Sequence, residues 1–164
     1  MAEILIRPLK TSDIEQICKI AVRAWTGIHN GYRKYIGNND LYDRLSNGWQ
    51  EQKAVQVRNK AQEHPEEVLV SELDGKIVGF VTFALDLQNG IGEICNNAVD
   101  PEYQGKGIGS QQHLKTLDIF RGKGLKYAIV STGYEDEGHA KARASYEKVG
   151  FKKMRASITY SLKL

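Results

Sequence analysis

The sequence predicts an α/β domain (α+β, mixed sheet): a mostly antiparallel sheet of about six to seven strands flanked by four helices. Three observations predict it. Short β-branched runs alternate with segments of helical period. Two of those runs are joined by Asp74-Gly75, a strong hairpin signal. A late strand passes through a glycine-rich turn directly into a helix, as in a sheet with helices packed on it.

The 164 residues fit one domain, 1–164, with one core. Glu3 to Pro8 alternate as a first strand. A helix starts at Ser12, with Glu15 at capping-box spacing. Ile14, Ile17, Ala21, Trp25 and Ile28 recur at helical steps and bury one face. Tyr32 to Gly48, rich in Gly, Asn, Asp and Tyr, reads as loop plus helix start, and a polar helix continues to about His64. Val68 to Leu73 and Lys76 to Leu87 form the hairpin. Asn89-Gly90 turns into a third strand, Gly92 to Val99, ended by Asp100-Pro101. Ile108 to Arg121 is a helix with Leu114, Leu117 and Phe120 on one face, stopped by Gly122 and Gly124. Leu125 to Ser131 is a strand. His139 to Val149 is a helix with Ala142, Tyr146 and Val149 on one stripe. Phe151 to Leu164 alternates as a closing strand.

Composition narrows the function. At 41% hydrophobic and 26% charged residues the chain reads as globular, not disordered. No apolar run approaches the roughly 20 residues of a membrane span, and the N-terminal apolar stretch is too short for a signal peptide. Cys18 and Cys95 read as reduced, buried thiols, and no metal-ligand spacing occurs. A net charge of +3 tolerates a polyanionic ligand without demanding nucleic acid. Cytoplasmic localisation is the default expectation.

The most informative stretch is Asp100-Pro101-Glu102-Tyr103-Gln104-Gly105-Lys106-Gly107-Ile108-Gly109-Ser110. Its alternating glycines let backbone pass close to a ligand, and the free N–H groups of the helix start suit a phosphate. A Walker loop fails because Gly107 follows Gly105-Lys106. A dinucleotide fingerprint fails at Ser110 and because the turn follows a late strand. A glycine turn with no ligand is the remaining alternative.

Gln104-x-x-Gly107-x-Gly109 resembles the Gln/Arg-x-x-Gly-x-Gly/Ala motif of the GNAT family of N-acetyltransferases. Ala98-Val99-Asp100-Pro101 is similar to what that family carries before it. Ala142-Arg143-Ala144-Ser145-Tyr146-Glu147-Lys148-Val149-Gly150-Phe151 resembles its closing Ala-x-x-x-Tyr-Glu-Lys-x-Gly-Phe segment, and Arg7-Pro8 with Asp13 its opening. The resemblance covers nearly the whole chain. It implies a GNAT-like acyltransferase fold, acetyl-CoA as donor, no metal, and direct transfer to a primary amine of a small molecule or peptide. The alternative class is a coenzyme A-binding sensor or partner domain without turnover.

The same resemblance implies the site. Gln104, Gly105, Lys106, Gly107, Ile108, Gly109 and Ser110 would hold the coenzyme A pyrophosphate, and the backbone of Ala98 and Val99 the pantetheine arm. Ala142 joins the cofactor wall, and His139 stands where the family often has an asparagine that contacts the cofactor. An alkylamine, with pKa ~10.4, must lose a proton before attack, and a departing thiolate gains from receiving one. Glu93 is the candidate base, against a plain solvated glutamate. Tyr146 is the candidate acid, against a core tyrosine. Cys95 shares the face of Glu93, but no histidine is near it in sequence to make it a nucleophile. Trp25, His29, Tyr32, Arg33, Tyr35 and Asp40 fall where the family shapes its acceptor pocket. The acidic run Glu135-Asp136-Glu137 reads as a solvated loop. Symmetric dimers being common in general, a homodimer is the assembly to look for.

Overall fold

In the computed structural model, which describes residues 4–134 and 136–164, five strands lie side by side in chain order. They are β1 (Ile4–Pro8), β2 (Val68–Leu73), β3 (Lys76–Asp86), β4 (Ile91–Val99) and β5 (Tyr127–Val130). Neighbours are antiparallel except β4 and β5, which run parallel. Glu3 of the expected first strand and Glu135 of the acidic run lie outside the described residues. The β2–β3 hairpin forms at Asp74-Gly75, with φ of 50° and 75°, the primed-turn geometry whose twist suits paired strands.

Five α-helices flank the sheet where four were expected: α1 (Ile14–Ile36), α2 (Asn39–Leu45), α3 (Trp49–Glu63), α4 (Ile108–Gly122) and α5 (Ala140–Lys148). The extra helix comes from the stretch read as loop. α1 runs on through Tyr32, Arg33 and Tyr35, and stops only where Gly37 takes φ 67° and its N–H bonds to Arg33 O. Asn38 then caps α2, its side chain accepting from Leu41 N–H at 3.0 Å. The expected Ser12–Glu15 capping box does not form. The Asp13 carboxylate accepts from Lys10 N–H at 2.8 Å and pairs with Arg7 at 2.7 Å, while Glu15 reaches across to Arg58 at 3.0 Å.

Each face of the sheet carries a core. On one, Ile17, Ile20 and Ala21 of α1 and Val57 and Ala61 of α3 cover Val68, Val70, Phe80 and Ala98. On the other, Phe120 of α4 packs with Leu69, Val81, Phe83 and Ile94. The buried positions of α4 are Ile108, Gln112, His113, Thr116 and Phe120, so Leu114, expected on that face, is exposed. β4 contributes to both cores because it is bulged. Asn96 pairs with Thr82 and Ile94 with Phe83, leaving Cys95 as the extra residue. The bulge inverts the alternation, so Ile94 faces α4 while Ala98 faces α1 and α3. It also turns Cys95 outward, so only Cys18 is a buried thiol.

The closing strand expected over Phe151 to Leu164 is not formed. Ile158, Tyr160 and Leu162 alternate as strand residues do, yet they are 77%, 89% and 84% exposed. Alternation specifies a strand only where a free edge and a covering layer meet it. Within this chain the segment reaches neither beyond Phe151, and Tyr127 and Ile129 of β5 also stay exposed.

Candidate functional site

β4 and β5 pair only from Ile91–Ile94 against Tyr127–Val130. β4 continues five residues further to Val99, past the end of β5 at Val130, and this stretch without a ladder partner on the β5 side is the wedge between the two strands. The glycine turn stands at its wide end. Gly105 and Gly107 adopt φ of 81° and 79°, and Gly107 is the N-cap residue of α4. Such conformations strain residues with a Cβ, and they leave the first N–H groups of α4 pointing outward, a ready anion site. Lys106 lies over the Tyr103 ring at 4.9 Å, and Lys141 donates to Gln104 Oε1 at 3.0 Å. Two cations therefore flank the turn.

Strand geometry sorts the two residues expected to meet the pantetheine arm. Asp100 N–H donates to Val78 O in β3, so the alternate residue Val99 turns its peptide groups away from β3, toward the wedge. Its carbonyl accepts from Gln104 Nε2 at 3.1 Å. The Ala98 carbonyl accepts from the buried Gln112 Nε2 at 3.2 Å instead. Ile108 is buried under the turn, and a Cβ at Gly109 would meet Ser145 Oγ of α5 at an ordinary 3.6 Å, so the approach of the two helices there does not demand glycine.

Tyr146 sits in the throat of the wedge, where its hydroxyl donates to Asn97 Oδ1 at 2.6 Å. Burial pushes its pKa up to about 12. Behind it lies His113 of α4, fully buried, its ring 4.8 Å from the Tyr146 ring. His113 Nδ1 is 3.2 Å from Ser145 Oγ, which is 3.4 Å from Ser110 Oγ. His113 Nε2 has no hydrogen-bond partner among the described residues, and burial pushes the imidazole pKa down to about 4. Glu93 is on the other side of the sheet. It pairs with Ala84 of β3, and the bulge separates its face from that of Asn97. β4 thus presents Asn97 with Tyr146 on one face of the sheet and Glu93 on the other.

On the Glu93 side, α1 and α3 meet in aromatic rungs. His29 stacks on Trp49 with ring centroids 3.9 Å apart and bonds to Tyr42 OH at 3.1 Å. One turn away, Lys53 lies over the Trp25 ring at 4.3 Å and donates to Asn96 Oδ1 at 3.2 Å. Burial lowers the pKa of both His29 and Lys53. Of the other expected acceptor residues, Arg33 covers Tyr42 and pairs with Asp43, Tyr32 lies edge-on to Tyr42, Asp40 pairs with Arg44 on the surface, and Tyr35 is exposed.

The acidic run before α5 is not simply solvated. Glu137 is exposed and pairs with Lys34, but Asp136 is buried. Its Oδ1 accepts the His139 N–H at 2.9 Å and holds His139 Nδ1 at 2.7 Å. Arg143 ties this turn down through Gly133 O and Asp136 O. Gly138 packs directly on the α1 backbone at Ile28, where a Cβ would come within 2.6 Å of Ile28 Cα. That contact sets His139 beside α1, between the two halves of the site.

The fold thus brings the glycine turn, Val99, Tyr146 and His139 around one wedge. Sequence reasoning missed Asn97, Lys53, His113 and Asp136. Asn97 and Lys53 carried no signal, since each depends on the bulge or on helix pairing. Asp136 could have been found, because Asp three residues before His139 is N-cap spacing. Among the described residues no His, Cys, Asp or Glu cluster could hold a metal ion, and no helix is long and apolar enough to cross a membrane.

The model of the Acetyltransferase (GNAT) family matches residues 17–151. Mycothiol acetyltransferase of Streptomyces avermitilis is 27% identical over 141 residues, which cover 86% of this chain and 41% of that protein. The chain spans about two fifths of the length of the first such curated relatives. Among solved structures, PaiA N-acetyltransferase from Thermoplasma acidophilum in complex with coenzyme A superposes with a TM-score of 0.69 at 21% identity, covering 94% of this chain and 93% of that one. A GNAT family acetyltransferase from Brucella melitensis in complex with acetyl-CoA gives 0.63 at 20% identity, covering 92% and 84%. These two share the fold.

Proposed function

The chain belongs to the Acetyltransferase (GNAT) family, and we propose on that premise that it transfers an acetyl group from acetyl-CoA directly to a primary amine of a small molecule or peptide. One observation carries the proposal: the wedge between β4 and β5, with an anion site at its wide end and Tyr146 in its throat. The outward N–H groups of α4, with Lys106 and Lys141, fit a pyrophosphate by charge and donor count. Gln104, Gly105, Gly107, Ile108, Gly109 and Ser110 shape that turn, the outward peptide groups of Val99 line the arm's path with Ala98 behind them, its carbonyl on Gln112, and His139 and Ala142 close the wall.

The two faces that β4 presents suit the two proton transfers. Glu93 is our candidate base on the acceptor side, acting on the ammonium directly or through water. Tyr146 faces the leaving sulfur. With a pKa of about 12 its phenol stays protonated at neutral pH, so it acts as a hydrogen-bond donor to the developing thiolate. Asn97 Oδ1 accepts that proton's hydrogen bond in the free enzyme and holds the ring aimed at the throat. Tyr146→Phe should lower kcat by roughly 10²-fold while leaving acetyl-CoA affinity, read by calorimetry, unchanged. Equal turnover would remove Tyr146 from the chemistry.

We also propose a homodimer. β5 is an edge strand with one partner, β4, and residues 154–164 carry strand-type apolar alternation that their own chain leaves uncovered. An open edge is a template for another chain. A second copy supplies a segment of matching pattern, and exchanging the two arms covers both.

A further inference from the structure

Lys53 is a cation without a counter-charge. Its ammonium meets Asn96 Oδ1 at 3.2 Å, Gln56 Oε1 at 2.6 Å and the face of Trp25 at 4.3 Å. All three are neutral, and among the described residues no carboxylate forms an ion pair with it. Desolvation lowers its pKa, consistent with a charge held partly away from water. A partly buried cation costs free energy unless an anion compensates it. The neighbouring aromatic groups do not supply one. His29, stacked on Trp49, is itself disfavoured as a cation by burial and by the charge of Lys53.

The position of Lys53 ties it to the chemistry. Its partner Asn96 adjoins Asn97, the residue that holds Tyr146 OH. Successive residues point to opposite faces of a strand, so the ammonium lies one residue along β4 from the throat, on the acceptor face. Asn96 and Glu93 share that face, three residues apart on β4, so a group carried close to an amine presented to Glu93 falls toward Lys53.

We propose that Lys53 is an anion-recognising residue of the acceptor subsite, and that the acetylated amine belongs to an amino-carboxylate: an amino acid, or a small molecule with a carboxylate close to its amine. This rests on the transferase reading above and narrows its acceptor. Trp25 and His29–Trp49 form the apolar wall against which the rest of the acceptor packs. Polycationic acceptors are disfavoured, because Lys53 repels a second ammonium group.

The test uses matched probes: L-amino acids and their carboxamides, which differ only in the carboxylate. The chain has two tryptophans, Trp25 and Trp49, both in this wall, so their fluorescence reports binding without turnover. Thiol release with acetyl-CoA is followed in parallel. We expect at least one amino acid to bind and turn over with kcat/KM roughly tenfold or more above that of its amide, in line with a charge-assisted hydrogen bond. Lys53→Met should bring the ratio to within about twofold, Lys53→Arg should retain most of it, and both should keep wild-type acetyl-CoA affinity. Amides equal to or better than acids, no acid that binds, or a ratio untouched by Lys53→Met would each overturn the proposal. Thiol release confined to amines lacking a carboxylate would leave the transferase reading standing while the Lys53 proposal fails. No binding of acetyl-CoA would overturn both.

Discussion

His113 makes the fold acid-sensitive in a definable pH window. Its imidazole is fully buried, holds Ser145 Oγ through Nδ1, and leaves Nε2 without a partner among the described residues. Burial takes its pKa from 6.5 to about 4. The folded state therefore resists protonation that the unfolded chain accepts. Stability is complete above pH 6.5, declines as pH falls toward 4, and loses nothing further from this group below that. A displacement of 2.5 pKa units at 1.36 kcal/mol each amounts to about 3 kcal/mol. For a domain of this size that corresponds to roughly 10 °C in Tm. The perturbation is His113→Phe, which keeps a ring against Tyr146 and removes the titration. Thermal unfolding at pH 7 and pH 4.5, followed by circular dichroism, should show a large loss for the wild type and a much smaller one for the variant. His29, whose pKa is lowered by burial and then by Lys53 and His139, adds a residual slope of the same sign. Asp13 acts in a lower window: burial alone would raise its pKa, but Arg7 and Lys10 N–H hold it below 3.8, so its contribution is lost only in stronger acid. Equal pH dependence in the two proteins, or a His113 ring that titrates near 6.5 by NMR, would refute the reasoning.

Two further outcomes follow from packing. Gly92→Ala would set a Cβ 2.5 Å from the Phe120 ring, which is wedged against Phe83; overpacking of this kind costs about 1–3 kcal/mol, measurable as a lower midpoint in urea. Replacing Ile158, Tyr160 and Leu162 together by Ser should turn a dimer into a monomer by light scattering while each subunit keeps its fold; a wild type that is monomeric at micromolar concentration would dismiss the exchanged arm.

Local signals carried most of the element order. Asp74-Gly75, Asn89-Gly90 and the alternating glycines after Asp100 are written in residues adjacent in sequence, and each appears where expected. Over Tyr32 to Ile36 composition and structure disagree: Gly31 and Gly37 suggest a loop, yet only Gly37 takes the left-handed conformation that ends a helix. Gly31 answers to a different demand. A Cβ there would strike Gly138 at 2.8 Å, closing the contact that seats His139 beside α1. Such a demand belongs to tertiary packing and leaves no local mark.

The site was legible where it is made of backbone and obscure where it is made of opposed side chains. The anion turn depends on glycines and a helix start, so Gly105 and Gly107 announce it. The relation between Glu93 and Tyr146 depends on the bulge at Cys95. Strict alternation places Glu93, Cys95 and Asn97 on one face. The observed register instead sets Asn97 with Tyr146 and Glu93 opposite. Nothing in the run Glu93-Ile94-Cys95-Asn96-Asn97 marks where the extra residue falls, because β3 opposite decides it through the shift between Thr82 and Phe83. The same shift delivers Asn96 to Lys53 and thereby joins the polar α3, unremarkable in sequence, to the wedge. One misplaced residue of register would send Asn96 toward α5 and leave Lys53 on the surface, so the bulge determines which side chains face the acceptor.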